Sequence, residues 1–278
     1  MTAAIREALA TGELLDRLWF YSNYHCNLTC SYCFTESSPS TPPQALPPDQ
    51  IIRLAHQAAE LGYSQFGVTG GEPFILPYMV DVLKELAAIG STVVISNGTL
   101  FNGQRLARAV ELADHDVAVQ ISLDAPDPIV NDEFRGRANF DKVATAIPTL
   151  TAAGVHVRIA TSIEPDRLDL EQHARLCAMH TEWGVDEADH IVRPLIARGR
   201  AADEGMGTTI TFDEFPAELA VSVDGAYWGP FGPGVTNGVG DTDLLLTRTI
   251  EPLRVPAEAM LRVAGGRPAG SELAIVCA

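Results

Sequence analysis

The chain is poor in basic residues. Its 278 residues include 19 Lys and Arg against 36 Asp and Glu, which gives a formal net charge of -17 at pH 7. A surface of this charge repels the phosphates of nucleic acids and anionic membrane headgroups over most of its area. The sequence therefore predicts no nucleic acid partner.

Long apolar runs are also missing. No window approaches the roughly 20 consecutive apolar residues of a membrane-spanning helix. The N-terminus has neither the basic flank nor the apolar stretch of a signal peptide. With 46% hydrophobic and 20% charged residues, the composition predicts a globular, cytoplasmic protein that does not engage a membrane.

Cysteine is scarce, with five residues in the chain. An odd number in a reducing compartment, with three residues clustered, favours metal binding or catalysis over a disulfide framework. Two of the five, Cys177 and Cys277, are far apart in sequence, whereas Cys26, Cys30 and Cys33 fall within eight positions. We therefore expect a site built on three local sulfurs.

Helical and strand patterns alternate along the chain. An apolar run at residues 18 to 22 predicts a first strand, and the helical pattern IIRLAHQAAELG stops at Gly62, immediately before the strand QFGVTG. The same succession recurs until the strand of ADHIVRPLI, giving about six strands. Such alternation predicts an α/β fold with parallel strands, arranged as a partial barrel or as a doubly wound sheet.

Polar and Gly-rich segments follow the predicted strands. YHC comes after the first strand, TGGEP after the second, SNGT after the third and SLDAP after the fourth. Ligands bind at the carboxyl ends of parallel strands in both candidate folds. These segments therefore converge on one rim of the sheet.

The spacing C-x3-C-x2-C lets three thiolates of one loop face a common centre. Thiolates select zinc, copper(I) or iron–sulfur clusters. Structural zinc takes four protein ligands, and His25, next to Cys26, has no partner at a zinc-finger spacing. A cluster with one open iron fits three cysteines better. The alternative is a non-catalytic α/β binding protein with a loop held by zinc.

CNLTCSYC, residues 26 to 33, resembles the cluster-binding motif of the radical S-adenosylmethionine enzymes, and TGGEP, residues 69 to 73, is similar to that family's methionine-binding motif. The resemblance continues through ISNGT, QISLDAP and VRPLIARGRA, and covers residues 18 to 201. It implies a partial (βα)6 barrel, an open iron that binds S-adenosylmethionine, and an external one-electron reductant. It also implies reductive cleavage to a 5′-deoxyadenosyl radical, which abstracts hydrogen from a substrate.

The resemblance assigns roles to residues near the first two strands. Tyr32 matches an aromatic position against the adenine, with a core aromatic as the alternative. Gly70 and Gly71 would let the backbone approach the methionine amino group closely, and Glu72 would accept a hydrogen bond from that group. The alternative for these three residues is a plain strand-to-helix turn.

Later strand ends supply further candidates for binding the co-substrate. Ser122 and Asp124 are two apart on a predicted strand, so both face the ribose or the methionine carboxylate. Asn97 is a similar candidate or a turn residue. Arg193 would contact adenine or carboxylate, or form a surface ion pair. Arg135 and Arg137 would anchor a substrate carboxylate or a helix.

We expect three segments: a helical segment at residues 1 to 17, a barrel at 18 to 201 and a C-terminal extension at 202 to 278. The extension contains a hairpin signal at Asp224-Gly225 and should cap the barrel mouth. It has one cysteine, Cys277, so it departs from peptide-modifying relatives whose extensions carry auxiliary clusters. Cys277 is a candidate hydrogen donor, or an ordinary tail thiol.

The substrate is a peptide or a small polar metabolite, and the reaction class stays open among oxidoreductase, epimerase, lyase and peptide maturase.

Overall fold

A computed structural model describes residues 2–163, 170–265 and 275–276. The helices are α1 (Thr2–Thr11), α2 (Pro48–Leu61), α3 (Met79–Ala87), α4 (Gly103–Val110), α5 (Pro128–Arg135), α6 (Asn139–Ala152), α7 (Leu170–Glu182), α8 (Arg200–Asp203) and α9 (Arg254–Ala264). The strands are β1 (Arg17–Asn23), β2 (Gln65–Gly70), β3 (Ser91–Ser96), β4 (Val117–Ser122), β5 (His156–Ile163), β6 (His190–Pro194), β7 (Leu219–Ser222), β8 (Gly225–Trp228), β9 (Val235–Thr236), β10 (Val239–Gly240), β11 (Leu245–Thr247) and β12 (Ile275–Val276).

The first six strands form a parallel sheet in sequence order. The predicted α/β fold with parallel βα units is therefore confirmed, and the strand order is consistent with a partial barrel. Among the described strands, β11 and β12 occupy the two ends of the sheet order and do not pair with each other. The sheet stays open between those ends.

Strand β1 shows how the sequence sorts side chains between two cores. Leu18 and Phe20 belong to the large core beneath the helices, whereas Trp19 and Tyr21 belong to a smaller cluster on the opposite face. This sorting follows from the two-residue period of a strand. Gly67 on β2 makes room for the Trp19 ring, since an added Cβ would lie 2.2 Å from it.

The predicted C-terminal hairpin is present, with Ser222 paired to Gly225 across Val223 and Asp224. Its turn therefore begins one residue before the predicted Asp224-Gly225 pair. Strand β7 pairs in parallel with β1, so the hairpin extends the main sheet. The division into three segments stays a prediction. Within the described residues, no helix is long and apolar enough to cross a bilayer.

Candidate active site

The carboxyl ends of the parallel strands surround one cavity. Cys26, Cys30 and Cys33 all line it. Six of the eight residues predicted to bind the co-substrate also line it: Tyr32, Gly70, Gly71, Asn97, Ser122 and Arg193. The other two, Glu72 and Asp124, lie behind its wall. The structure thus brings together motifs that are up to 167 positions apart, from Cys26 to Arg193.

The cysteine loop leaves β1 and turns its three sulfurs to the cavity. The backbone N–H of Leu28 lies 3.4 Å from Cys26 Sγ, and Cys33 N–H donates to the Cys30 carbonyl at 3.3 Å. Burial raises the pKa of Cys26 to about 12 and that of Cys30 to about 11. Without a bound cation, both groups are therefore neutral thiols at pH 7.

The three sulfurs do not form a site for one metal ion. In the part of the chain that the structure describes, no three His, Cys, Asp or Glu side chains are grouped closely enough to hold one. Structural zinc needs four ligands at about 2.0–2.3 Å from a single centre. The loop therefore presents three soft donors around a shared cavity without the compact geometry of a zinc site.

Gly70 and Gly71 bring the backbone of β2 against the cysteine loop. An added Cβ would lie 2.2 Å from the Asn23 carbonyl oxygen at Gly70 and 2.1 Å from the His25 carbonyl oxygen at Gly71. Gly70 also has a φ of 129°, which disfavours any other residue. Only glycine permits this close approach, and it leaves the cavity wall free of side chains at both positions.

Glu72 is fully buried, and its carboxylate already has internal partners. It accepts hydrogen bonds from the N–H of Phe74 at 3.0 Å, the hydroxyl of Ser96 at 2.9 Å and the N–H of Asn97 at 2.8 Å. Burial raises the pKa of Glu72 to about 7, although the three donors lower it. The carboxylate ties the end of β2 to the end of β3. Its contact with a ligand amino group stays a prediction.

Asn97 braces the cysteine loop from the end of β3. Its amide nitrogen donates to Asn27 Oδ1 at 2.9 Å and approaches Cys26 Sγ at 3.6 Å, while its amide oxygen accepts from the Thr99 N–H at 2.9 Å. These contacts fix the position of Cys26. The side chain lines the cavity, but most of its polar capacity is used within the protein.

Asp124 is the centre of a buried polar network. It accepts hydrogen bonds from the Tyr32 hydroxyl, from Arg135 Nε at 2.6 Å and from the Ser162 N–H at 2.9 Å. The Arg135 guanidinium also lies 5.4 Å from the centroid of the Tyr32 ring. Strand β4 ends at Ser122, so the prediction that Asp124 shares a strand face with Ser122 is wrong. Asp124 follows the strand and faces this network instead.

Ser122 and Arg193 face the cavity from β4 and β6. Within the described residues, the Ser122 hydroxyl makes no hydrogen bond, which makes it available to a ligand. Two residues earlier on the same strand, Gln120 is 3% exposed and also lines the cavity. Gln120 was not among the residues predicted from the sequence, although the two-residue period of β4 places it on the same face as Ser122.

Aromatic residues close one side of the cavity. The rings of Phe34 and Phe231 are 5.7 Å apart between centroids, and Tyr21 and Phe34 are 6.3 Å apart. The Tyr21 hydroxyl donates to the Pro230 carbonyl. Pro230 and Phe231 are the part of this wall that the predicted C-terminal extension supplies, and its Gly- and Pro-rich composition did not indicate an aromatic contact here. Cys277, the candidate hydrogen donor, lies outside the described residues.

Comparison with known proteins agrees with this geometry. The family model of the Radical SAM superfamily matches residues 21–176. The AdoMet-dependent heme synthase of Oleidesulfovibrio alaskensis is 30% identical over 198 residues, 70% of this chain and 49% of that protein. The antilisterial bacteriocin subtilosin biosynthesis protein AlbA of Bacillus subtilis is 31% identical over 146 residues, 52% of this chain and 32% of that protein.

Among solved structures, SuiB of Streptococcus suis bound to S-adenosylmethionine aligns with a TM-score of 0.54 and 22% identity, covering 65% of this chain and 42% of SuiB. That likeness shows the fold. The chain spans about half, or less, of the length of the curated relatives described above.

Proposed function

The chain belongs to the radical SAM superfamily, and on that premise we propose that Cys26, Cys30 and Cys33 hold a four-iron four-sulfur cluster beside a site for S-adenosylmethionine. The observation that carries the proposal is the opening of all three cysteines into one cavity with the backbone of Gly70 and Gly71. Three soft thiolates that line one cavity are the donor set that such a cluster takes. When bound, cluster and co-substrate supply one-electron cleavage of the sulfonium and hydrogen abstraction from a substrate.

Arg135 is the group we propose for the methionine carboxylate. Asp124 engages Nε at 2.6 Å and Nη2 at 3.4 Å, which leaves Nη1 for an anionic ligand. The side chain is buried and lines the cavity, where a charge-assisted hydrogen bond is stronger than in water. Gly70 and Gly71 leave space for the amino group on the opposite wall.

The remaining predicted residues divide into ligand contacts and supports. Ser122 offers its hydroxyl to the ribose or to the carboxylate, and Arg193 stands near the adenine. Tyr32 packs at the edge of the adenine position, with its hydroxyl held by Asp124. Glu72 and Asn97 act mainly on the protein side, because their polar atoms brace β2, β3 and the cysteine loop.

The substrate, in this proposal, enters the same cavity. Trp19, Ile95 and Gln120 form part of its wall. A mostly apolar wall with one amide suits a single side chain of a peptide or a small polar metabolite. The relative described as a bacteriocin biosynthesis protein supports a peptide, and the relative described as a heme synthase supports a small molecule. An external one-electron donor completes the system.

The test is anaerobic reconstitution with iron and sulfide, followed by dithionite and S-adenosylmethionine, with 5′-deoxyadenosine measured by mass spectrometry. We expect product from the wild type and none from Cys30→Ala. Ser31→Ala, which changes the same loop without removing a sulfur, should retain iron, sulfide and product. Equal iron and sulfide in wild type and Cys30→Ala, or stoichiometric zinc in place of iron, would overturn the proposal.

A further inference from the structure

Arg200, at the start of α8, binds three carbonyl groups of the cysteine loop. Its backbone N–H donates to the Cys33 carbonyl at 3.0 Å. Its guanidinium donates from Nη1 to the Cys30 carbonyl and from Nη2 to the Ser37 carbonyl at 3.0 Å. One residue from beyond β6 therefore holds the backbone of two of the three cysteines.

Gly199 makes this contact possible. Its φ is 53°, and an added Cβ would lie 2.3 Å from the Phe34 carbonyl oxygen. The chain thus passes against the backbone of the residue that follows Cys33, at a distance that only glycine allows. This close approach is a second observation, independent of the side-chain hydrogen bonds, that ties the segment to the cysteine loop.

The charge of Arg200 is balanced differently from that of Arg135. Asp124 forms an ion pair with Arg135, whereas the three partners of Arg200 on the cysteine loop are neutral carbonyls. No carboxylate in the described ranges forms an ion pair with Arg200. A cation that keeps its charge beside Cys30 stabilises an electron added nearby, because Coulomb attraction is strong where water is sparse.

We propose that Arg200 is a positioning residue that fixes the backbone of Cys30 and Cys33 for the cluster, and that its charge raises the reduction potential of the cluster. The inference rests on the proposed cluster site and deepens it. It assigns a role to Arg200 in the segment ARGRA, residues 197 to 201. That segment is part of the motif resemblance described above, which gave Arg200 no function.

The two parts of the role are separated by Arg200→Gln and Arg200→Lys. Gln removes the charge and keeps one donor nitrogen. Lys keeps the charge but lacks the planar guanidinium that binds two carbonyl groups at once. Each reconstituted variant is compared with the wild type for iron and sulfide content and for the midpoint potential in a titration followed by electron paramagnetic resonance. Arg254→Gln, an arginine 53% exposed on α9, is the matched control.

We expect the midpoint potential of Arg200→Gln to shift to more negative values and that of Arg200→Lys to stay near the wild type. Both variants should lose iron faster in the presence of a chelator, because neither side chain can donate to the Cys30 and Ser37 carbonyls at the same time. Circular dichroism of the apo proteins checks that each variant folds. Wild-type potential together with wild-type iron retention in Arg200→Gln would overturn the inference.

A glycine pair provides a test that leaves Arg200 in place. Gly199→Ala should release the cysteine loop and speed iron loss. Gly205→Ala carries a similar backbone penalty, at a φ of 68°, but its added Cβ meets nothing within 4 Å. Equal iron retention in the two alanine variants would contradict the positioning role. A wild type that takes up no iron and sulfide would instead refute the proposed function, and the inference with it.

Discussion

Arg135 Nε donates to Asp124 Oδ2 at 2.6 Å, and the two side chains are only 6% and 4% exposed. The pair joins the end of α5 to the loop after β4, next to Cys30, whose Sγ lies 3.9 Å from the Arg135 carbonyl oxygen. Removing one member leaves the other charge buried without its partner, which costs more than the pair itself contributes.

Asp124→Asn should therefore lower the free energy of unfolding by about 3–5 kcal/mol, measured by urea denaturation of the apo protein. Asp49→Asn is the control, because Asp49 pairs with Arg53 on the surface, where the side chains are 72% and 51% exposed. The free energy of unfolding of Asp49→Asn should differ little from that of the wild type. In Asp124→Asn/Arg135→Met, the combined loss should be smaller than the sum of the single losses; simple additivity would contradict the pairing.

Glu72 should make stability depend on pH. Its folded pKa is about 7 against an ordinary 4.5, so between these values the folded state binds more protons than the unfolded state. The stabilising contribution is complete below pH 4.5 and is lost as pH rises through about 7, a change of about 3 kcal/mol. The pH dependence of stability sums over all ionisable groups of the protein, so a difference measurement is needed.

Glu72→Gln supplies that difference, because the amide does not titrate. We expect the free energy of unfolding of the variant, minus that of the wild type, to increase as pH rises from 4.5 to 7. Urea titrations at a series of pH values measure this difference. Parallel pH profiles for the two proteins would show that the Glu72 carboxyl has an ordinary pKa in the folded state.

Gly71→Ala should displace the cysteine loop, since the added Cβ would lie 2.1 Å from the His25 carbonyl oxygen. We expect a loss of about 1–3 kcal/mol in the free energy of unfolding and weaker binding of S-adenosylmethionine by calorimetry. Gly240→Ala, where an added Cβ meets nothing within 4 Å, should leave both unchanged. Unchanged binding in Gly71→Ala would remove this residue from the site.

Tyr21→Phe should loosen the aromatic wall, because it removes the hydroxyl that donates to Pro230. Hydrogen exchange of the backbone amides at residues 231 to 236 should become faster, with a loss of about 1 kcal/mol in local stability. Tyr63→Phe is the control, since the Tyr63 hydroxyl is buried and has no hydrogen-bond partner in the described structure. Equal exchange in the two variants would show that the Tyr21 hydroxyl does not hold the wall.

The βα pattern predicted the parallel strands because local periodicity decides which face of a helix or strand is apolar. Strand β2 has the bounds of the run QFGVTG, and Gly62 ends α2 in a left-handed conformation with a φ of 106°. The Asp124 prediction was wrong because hydrogen bonding across the sheet, which the pattern of one strand does not contain, determines where β4 ends.

The sequence by itself determined the three cysteines of one loop, the glycines at the end of β2 and the alternation of helices and strands, because each depends on neighbours within a few residues. Only the tertiary structure decided that Arg135 pairs with Asp124, that Arg200 binds the carbonyls of Cys30 and Ser37, and that Phe231 completes the wall. These contacts join segments between 11 and about 200 positions apart. Their energies depend on burial and on the distances set by packing of the whole sheet, and no local pattern encodes either quantity.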